Sequence, residues 1–475
     1  MWRIKAKEGE MIALAESIDS PKLKNSLSAE QIDKIISEEI DKATAEDSTI
    51  WTCPDFNRRE YVHSFFQYPA MMIPAVQKKL IEVITESKPS IKNMLDPFMG
   101  SATTMVSSME TGLDVYGCDI NPLAVLIART RTGPYYVEAV KEKYIELIDR
   151  IGSDKSKKIE AKFKGIDKWF KPKIKIELSK IVRAIRQEPR LSIRRFFWVI
   201  LAETVRVSSN DRTSTFKLHI RPKEDIEQRT FSAIDAFDIH MDQSIGDYEL
   251  HASLLKDAHQ LTNGAYSSIL DIRLGDSKNE IYSPTGEPYY DLLVTSPPYG
   301  DNKTTVTYGQ YSYLPLQWID LEDIDPKVND EYLKTTSEID SKSLGGKLSN
   351  LEEQDLNGVF NLSPTLKQTY DNIVFKIGDR KSKKVGAFMV DLNKSIDNIF
   401  AVMKKDSYQI WTVGNRTVGG IEIPNDKIIV EILEAKGAIL IKKLEREILN
   451  KRMALRNKDT SLMNTEDILI FRKIV

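Results

Sequence analysis

Thr295-Ser296-Pro297-Pro298-Tyr299-Gly300 sets a small hydroxyl, two prolines and an aromatic ring directly after an apolar run, Leu292-Leu293-Val294. The run predicts a buried strand that opens onto a loop. Pro297 and Pro298 stiffen that loop and remove backbone donors, which leaves carbonyl oxygens to accept hydrogen bonds. Ser296 is then placed to accept or orient one proton of an exocyclic amine, and the Pro297 carbonyl a second. Tyr299 supplies a face on which a planar base can stack. A flipped nucleobase suits this combination. A plain proline-rich turn looks the same in isolation, so the rest of the chain must decide.

Two further stretches bear on it. Leu95-Asp96-Pro97-Phe98-Met99-Gly100-Ser101-Ala102-Thr103-Thr104 reads as a strand ending at an acid, then a glycine-containing loop, then a helix. Val115-Tyr116-Gly117-Cys118-Asp119-Ile120-Asn121-Pro122 reads as a second strand ending at another acid. That is the layout of a nucleotide-type cofactor site on a doubly wound sheet. Gly100 lets backbone approach a ligand, and Asp119 is placed for two ribose hydroxyls. The loop lacks the Lys-Ser/Thr pair of a phosphate cradle and the full glycine spacing of a dinucleotide fingerprint. A ligand with a ribose but no pyrophosphate fits better.

Taken together, these stretches resemble the DNA amino-methyltransferases, which move a methyl group from S-adenosylmethionine to N4 of cytosine or N6 of adenine. Asp96 to Thr104 is similar to their cofactor motif, Asp-Pro-Phe-x-Gly-Ser-Gly-Thr-Thr, and Thr295 to Tyr299 to their catalytic motif. His63 to Ala70 with Pro74 resembles the segment that closes over the methionine end of the cofactor. Leu274-Gly275-Asp276-Ser277 resembles the acid-bearing turn near its adenine. Further likeness runs through Thr304–Gln310, Thr412–Arg416, Lys451-Arg452-Met453 and Glu466-Asp467-Ile468, touching about half the chain in a consistent order.

The resemblance implies an α/β, Rossmann-like class I methyltransferase core that uses S-adenosylmethionine. It implies cofactor contacts from Tyr68, Pro69, Asp96, Phe98, Gly100, Ser101, Asp119, Asn121, Asp276, Ser277 and Thr295. Catalytic roles fall to Ser296, Pro297, Pro298 and Tyr299. Serine stands where adenine-directed members usually carry Asp or Asn, which tilts the target to cytosine N4 over adenine N6. An RNA base methyltransferase and a decayed, non-catalytic DNA-binding relative are the other readings. The implied substrate is double-stranded DNA, in the cytoplasm of a bacterial or phage restriction–modification setting, with a cognate restriction endonuclease as genetic partner. Ala102 departs from the motif, where a glycine is usual, and would strain the loop if that position needs a positive φ. Ala454 replaces an expected proline.

Composition agrees with an intracellular enzyme. The chain has 475 residues, 41% of them apolar, with no run of eighteen apolar residues and no secretory signal at its start. Two cysteines, Cys53 and Cys118, imply a reducing compartment, and neither follows a proline as the nucleophile of cytosine C5 methylation would. The five histidines show no metal-ligand spacing, so no metal is expected.

Charge is uneven along the chain despite a net −2. Residues 151–195 hold ten lysines and five arginines against five acids, whereas 320–355 hold eleven acids against four lysines. Arg183, Arg186, Arg190 and Arg194 recur at three to four residues, as on one helical face, and the basic segment carries aromatics, Phe163, Trp169, Phe170, Phe196, Phe197 and Trp198. Together with Arg206 and Arg212 these arginines form the expected DNA contact. Asp119 and Asp276 are 157 residues apart, far more than one helix and a loop, so an insertion lies between them. The organisation expected is a helical extension over 1–50 with a Ser28–Gln31 capping box. The core then comprises 51–130, 260–313 and 385–475. A basic helical insertion for DNA contact covers 131–259, and a polar, acidic one, for target recognition or as a flap, covers 314–384.

Overall fold

The computed structural model describes residues 27–57, 60–448 and 464–475. The first 26 residues of the expected extension, and Lys451-Arg452-Met453 and Ala454, lie outside them.

Seven strands form the central sheet: β1 (Asn93–Asp96), β2 (Asp114–Asp119), β3 (Leu270–Leu274), β4 (Tyr290–Thr295), β5 (Met403–Val413), β6 (Ala438–Glu447) and β7 (Thr465–Lys473). Their order is β6-β7-β5-β4-β1-β2-β3. β1, β2, β3, β4 and β5 run parallel, and β7 and β6 add an antiparallel edge. Neighbouring side chains along each strand enter opposite cores. Met94, Val115, Leu292, Val294 and Ile410 face one, and Leu95, Tyr116, Leu293 and Trp411 the other. This two-sided burial is why the strands read as continuous apolar runs. The order reverses between β1 and β4, so a crevice opens beyond their carboxyl ends, where Asp96 and Thr295 lie.

Helices cover both faces. On the first lie α1 (Ala29–Glu46), α2 (Pro74–Ser87), α3 (Thr103–Met109), α4 (Pro122–Arg131) and the insertion helices α5 (Val137–Ser153), α6 (Pro172–Arg186), α7 (Leu191–Ser208) and α8 (Ala233–Asp257). The Ser28–Gln31 capping box is present at α1. The second face is covered by Glu353–Leu362, Pro364–Ile377, α9 (Asp379–Val402) and α10 (Asn425–Ala435).

Two expectations need correction. The arginine stripe is not on one helix. α6 ends at Arg186, Pro189 follows, and Arg190 is the N-cap of α7. The aromatics of the basic segment are core, since Phe170, Phe196, Phe197 and Trp198 are fully buried. The 314–384 block is likewise not polar throughout. Leu356, Val359, Leu366 and Ile373 recur at helical spacing and bury the 353–377 pair of helices against α9 and α10.

Candidate active site

Asp96 ends β1 with its carboxylate fully buried. It accepts from Phe98 N at 3.0 Å and Thr295 Oγ1 at 2.7 Å, and also from Thr104 Oγ1. Burial pushes its pKa up to about 6. The Thr295 contact stitches the ends of β1 and β4 together, so both expected cofactor residues sit beneath the loops rather than on a cavity wall.

Above them a cavity opens to solvent. Tyr68, Pro69, Phe98, Gly100, Ser101, Asp119, Asn121, Asp276 and Ser277 line it, and so do Ser296 and Pro298. The loop between β1 and α3 turns through two left-handed residues, Gly100 at φ +49° and Ala102 at φ +69°. Ala102 caps α3 in that conformation, so the strain anticipated for a non-glycine there is present. Asp119 closes the turn by accepting from Gly100 N at 2.9 Å and Asn121 N at 2.8 Å. Burial raises its pKa to about 6 as well. Asn121 is spent inside the protein. It caps α4 through Leu123 N, and its amide donates to Tyr68 Oη at 3.0 Å and Ser312 Oγ at 2.8 Å. Tyr68 in turn stacks on Tyr308 with ring centres 5.7 Å apart.

The catalytic-type loop is held from two sides. Asn425 Nδ2 donates to the Tyr299 carbonyl at 3.0 Å and the Gly414 carbonyl at 2.8 Å. Arg416 lies across Gly300 so closely that a Cβ there would be 1.5 Å from its Nη1, which explains the glycine. Pro297 is buried, and Tyr299 turns its hydroxyl to Glu466 at 3.0 Å. Neither lines the cavity.

Several residues at the site carried no sequence signal. Ile339, Ser343 and Leu344, from the acidic block, close the cavity over the Asp276 side, and Asn302 joins Tyr308, from the 304–310 stretch of likeness, in completing it. Gly345 and Gly346, legible only as loop punctuation, let this segment press on Phe388 and on the Asp340 and Ser341 carbonyls. Fully buried Arg131 donates to the Ser101, His63 and Phe66 carbonyls at 2.8, 3.1 and 2.8 Å, joining the cofactor-type loop to the segment before Tyr68. Among the described residues no group of three or more His, Cys, Asp or Glu is placed to hold a metal ion.

Comparison with known proteins bears on this arrangement. The family described as DNA methylase, of the N6/N4 type, matches residues 6–130. Type II methyltransferase M.MvaI of Kocuria varians is 34% identical over 430 residues, covering 88% of this chain and 91% of that protein. The chain belongs to the type II DNA amino-methyltransferases. Type II methyltransferase M.MjaII of Methanocaldococcus jannaschii is 31% identical over 94 residues, 20% of this chain and 17% of that protein.

The methyltransferase uses S-adenosylmethionine as methyl donor and acts on DNA. The cavity fits that cofactor: its wall carries carboxylates at the end of β2, Asp119, and after β3, Asp276, which suit a ligand with ribose hydroxyls, an amine and positive charge. No helix among the described residues is long and apolar enough to cross a membrane.

In the methyltransferase the arginines expected to meet DNA are largely engaged with its own acids. Arg183 bonds Asp154 at 2.8 Å and Glu160 at 3.1 Å, and Arg186 bonds Asp320 at 2.7 Å. Arg190 reaches Glu188 at 3.3 Å and Arg194 reaches Asp323 at 2.7 Å. Arg206 is buried against Glu203 at 2.5 Å. The acidic 320–325 segment thus meets Arg186 and Arg194, while the other three pair with acids of the insertion itself. Arg212 differs: it is exposed, and no acid pairs with it among the described residues.

Proposed function

We propose that the methyltransferase acts on N4 of cytosine in double-stranded DNA, with Ser296 and the Pro297 carbonyl receiving the two amine protons. The observation that carries this reading is Ser296 on the wall of the cofactor cavity, together with Pro298, Gly100 and Asp119. A neutral hydroxyl at that place fits the cytosine-directed members of the family better than the adenine-directed ones, which usually carry Asp or Asn. S-adenosylmethionine supplies an electrophilic methyl on a sulfonium. The loop's task is to localise the amine lone pair, which ring conjugation otherwise delocalises, and to hold it in place. Tyr299 stiffens the loop and lends its ring to the flipped base.

The DNA backbone is proposed to run beside the segment Asp211–Arg221, closed by an Asp211–Ile220 bridge. That segment abuts the helix Tyr308–Leu316 that follows the catalytic-type loop. Thr307 Oγ1 donates to the Phe216 carbonyl at 3.1 Å, Leu218 N donates to Gln310 at 3.3 Å, and the Phe216 and Tyr311 rings meet at 5.7 Å. Arg212 and Lys217 stand exposed on it, the form of charge that a phosphate backbone needs. A cognate endonuclease in a bacterial or phage cytoplasm completes the proposed setting.

Transfer of tritiated methyl from S-adenosylmethionine to unmodified genomic DNA, followed by nucleoside chromatography, tests the base. Label in N4-methylcytosine is expected, and label in N6-methyladenine would overturn the assignment.

A further inference from the structure

Glu466 lies on β7, outside the cofactor cavity, and nothing in the reaction as described uses it. Its Oε1 accepts from Tyr299 Oη at 3.0 Å. Its Oε2 is bonded by Arg446, its register partner on β6. Tyr299 Oη also stands 3.3 Å from Ser296 Oγ. Three oxygens therefore form a chain from the sheet edge to the cavity: Glu466, Tyr299, Ser296.

The protons on that chain have one consistent arrangement. A carboxylate has no proton to give, so Tyr299 must donate its single proton to Glu466. The Tyr299 oxygen can then only accept from Ser296. Ser296 thus directs its one proton away from the cavity and keeps its lone pairs for whatever enters. We propose that Glu466 is a positioning residue that makes Ser296 an obligate hydrogen-bond acceptor, so that the site receives an amine and not a carbonyl. This rests on the reading of Ser296 as the amine acceptor. It goes further in explaining how a hydroxyl, able both to donate and to accept, behaves like a pure acceptor. A cross-strand ion pair with Arg446 would by itself need no tyrosine, and the Tyr299 contact joins it to the chemistry.

A double-mutant cycle with Glu466→Gln and Tyr299→Phe tests the proposal, because coupling isolates what passes through the tyrosine. The glutamine amide donates to Tyr299 and allows the chain to reverse. The expected loss in kcat is about tenfold, the worth of one well-placed hydrogen bond. Cofactor Kd by calorimetry should stay at the wild-type value, while Tm falls in both Glu466→Gln backgrounds alike because buried Arg446 loses its counter-charge. Glu466→Asp, still acceptor-only, should retain more of kcat than Glu466→Gln. In the Tyr299→Phe background, Glu466→Gln should change kcat by less than twofold. An unchanged kcat in Glu466→Gln alone would overturn the proposal, as would the same loss in both backgrounds. Failure of the underlying reading shows separately, as wild-type kcat in Ser296→Ala. A wrong base identity leaves the cycle intact, because it is read as ratios of label on whichever amine carries it.

Discussion

Asp96, Asp119 and Asp340 are carboxyls that burial holds up at about 6. A folded-state value above the unfolded one means that the native protein binds extra protons between the two. Their contribution to stability is therefore fully present below about pH 4 and is lost as pH rises through about 6. Of the three only Asp119 faces the cavity, and a cofactor that brings hydroxyls and positive charge to it favours its ionised form, so affinity should change in the opposite sense. Melting of the cofactor-free protein and calorimetric titration across pH 4 to 7 are expected to show these opposed slopes, with protons released on binding below pH 6. Ala102 supplies a second test. Its φ of +69° carries a strain that glycine would not, and its buried methyl offsets only part of it. Ala102→Gly should raise stability by about 1 kcal/mol in denaturant melts.

Elements carry the charge story. The sequence shows a basic stretch and an acidic stretch far apart; the fold lays Asp320, Asp323 and Asp325 on Arg186, Arg194 and Arg129 at 2.7 to 2.9 Å. Trp198 Nε1 also donates to Asp323 at 2.8 Å. Arg194→Ala leaves Asp323 short of its cation in a largely desolvated place, and is expected to cost about 2 kcal/mol of stability while leaving DNA affinity unchanged. Denaturant melts and a binding isotherm on the same variant separate the two effects. The segment around Ile339–Leu344 makes a different contribution, as one wall of the cofactor cavity. Leu344→Ala should weaken cofactor binding by about tenfold, the value of a few buried methyl groups, with KM for DNA unchanged.

At the scale of the molecule, DNA must approach the mouth of the cavity, and exposed cations beside it are the ones that count. Replacing Arg212 and Lys217 together by alanine should lower the slope of log K against log salt by about 2 and weaken binding alike on all sequences. An unchanged slope would place the duplex elsewhere. Part of the cavity lining was legible in the chain because Gly100, Asp119, Asp276 and Ser296 each sit where a strand meets its loop. Local backbone geometry, set over a few residues, restricts what can stand there. The buried strand over Leu292–Val294 was legible for the same reason, as was the capping box at Ser28. Other features rest on contacts between residues far apart in sequence. The bond from Glu466 to Tyr299 spans 167 positions, and that from Arg194 to Asp323 spans 129. A positive charge in a sequence states only that a counter-charge or water must be found. Which of the two it meets, and so whether it stabilises the fold or is left to bind DNA, is decided only when the distant segments pack.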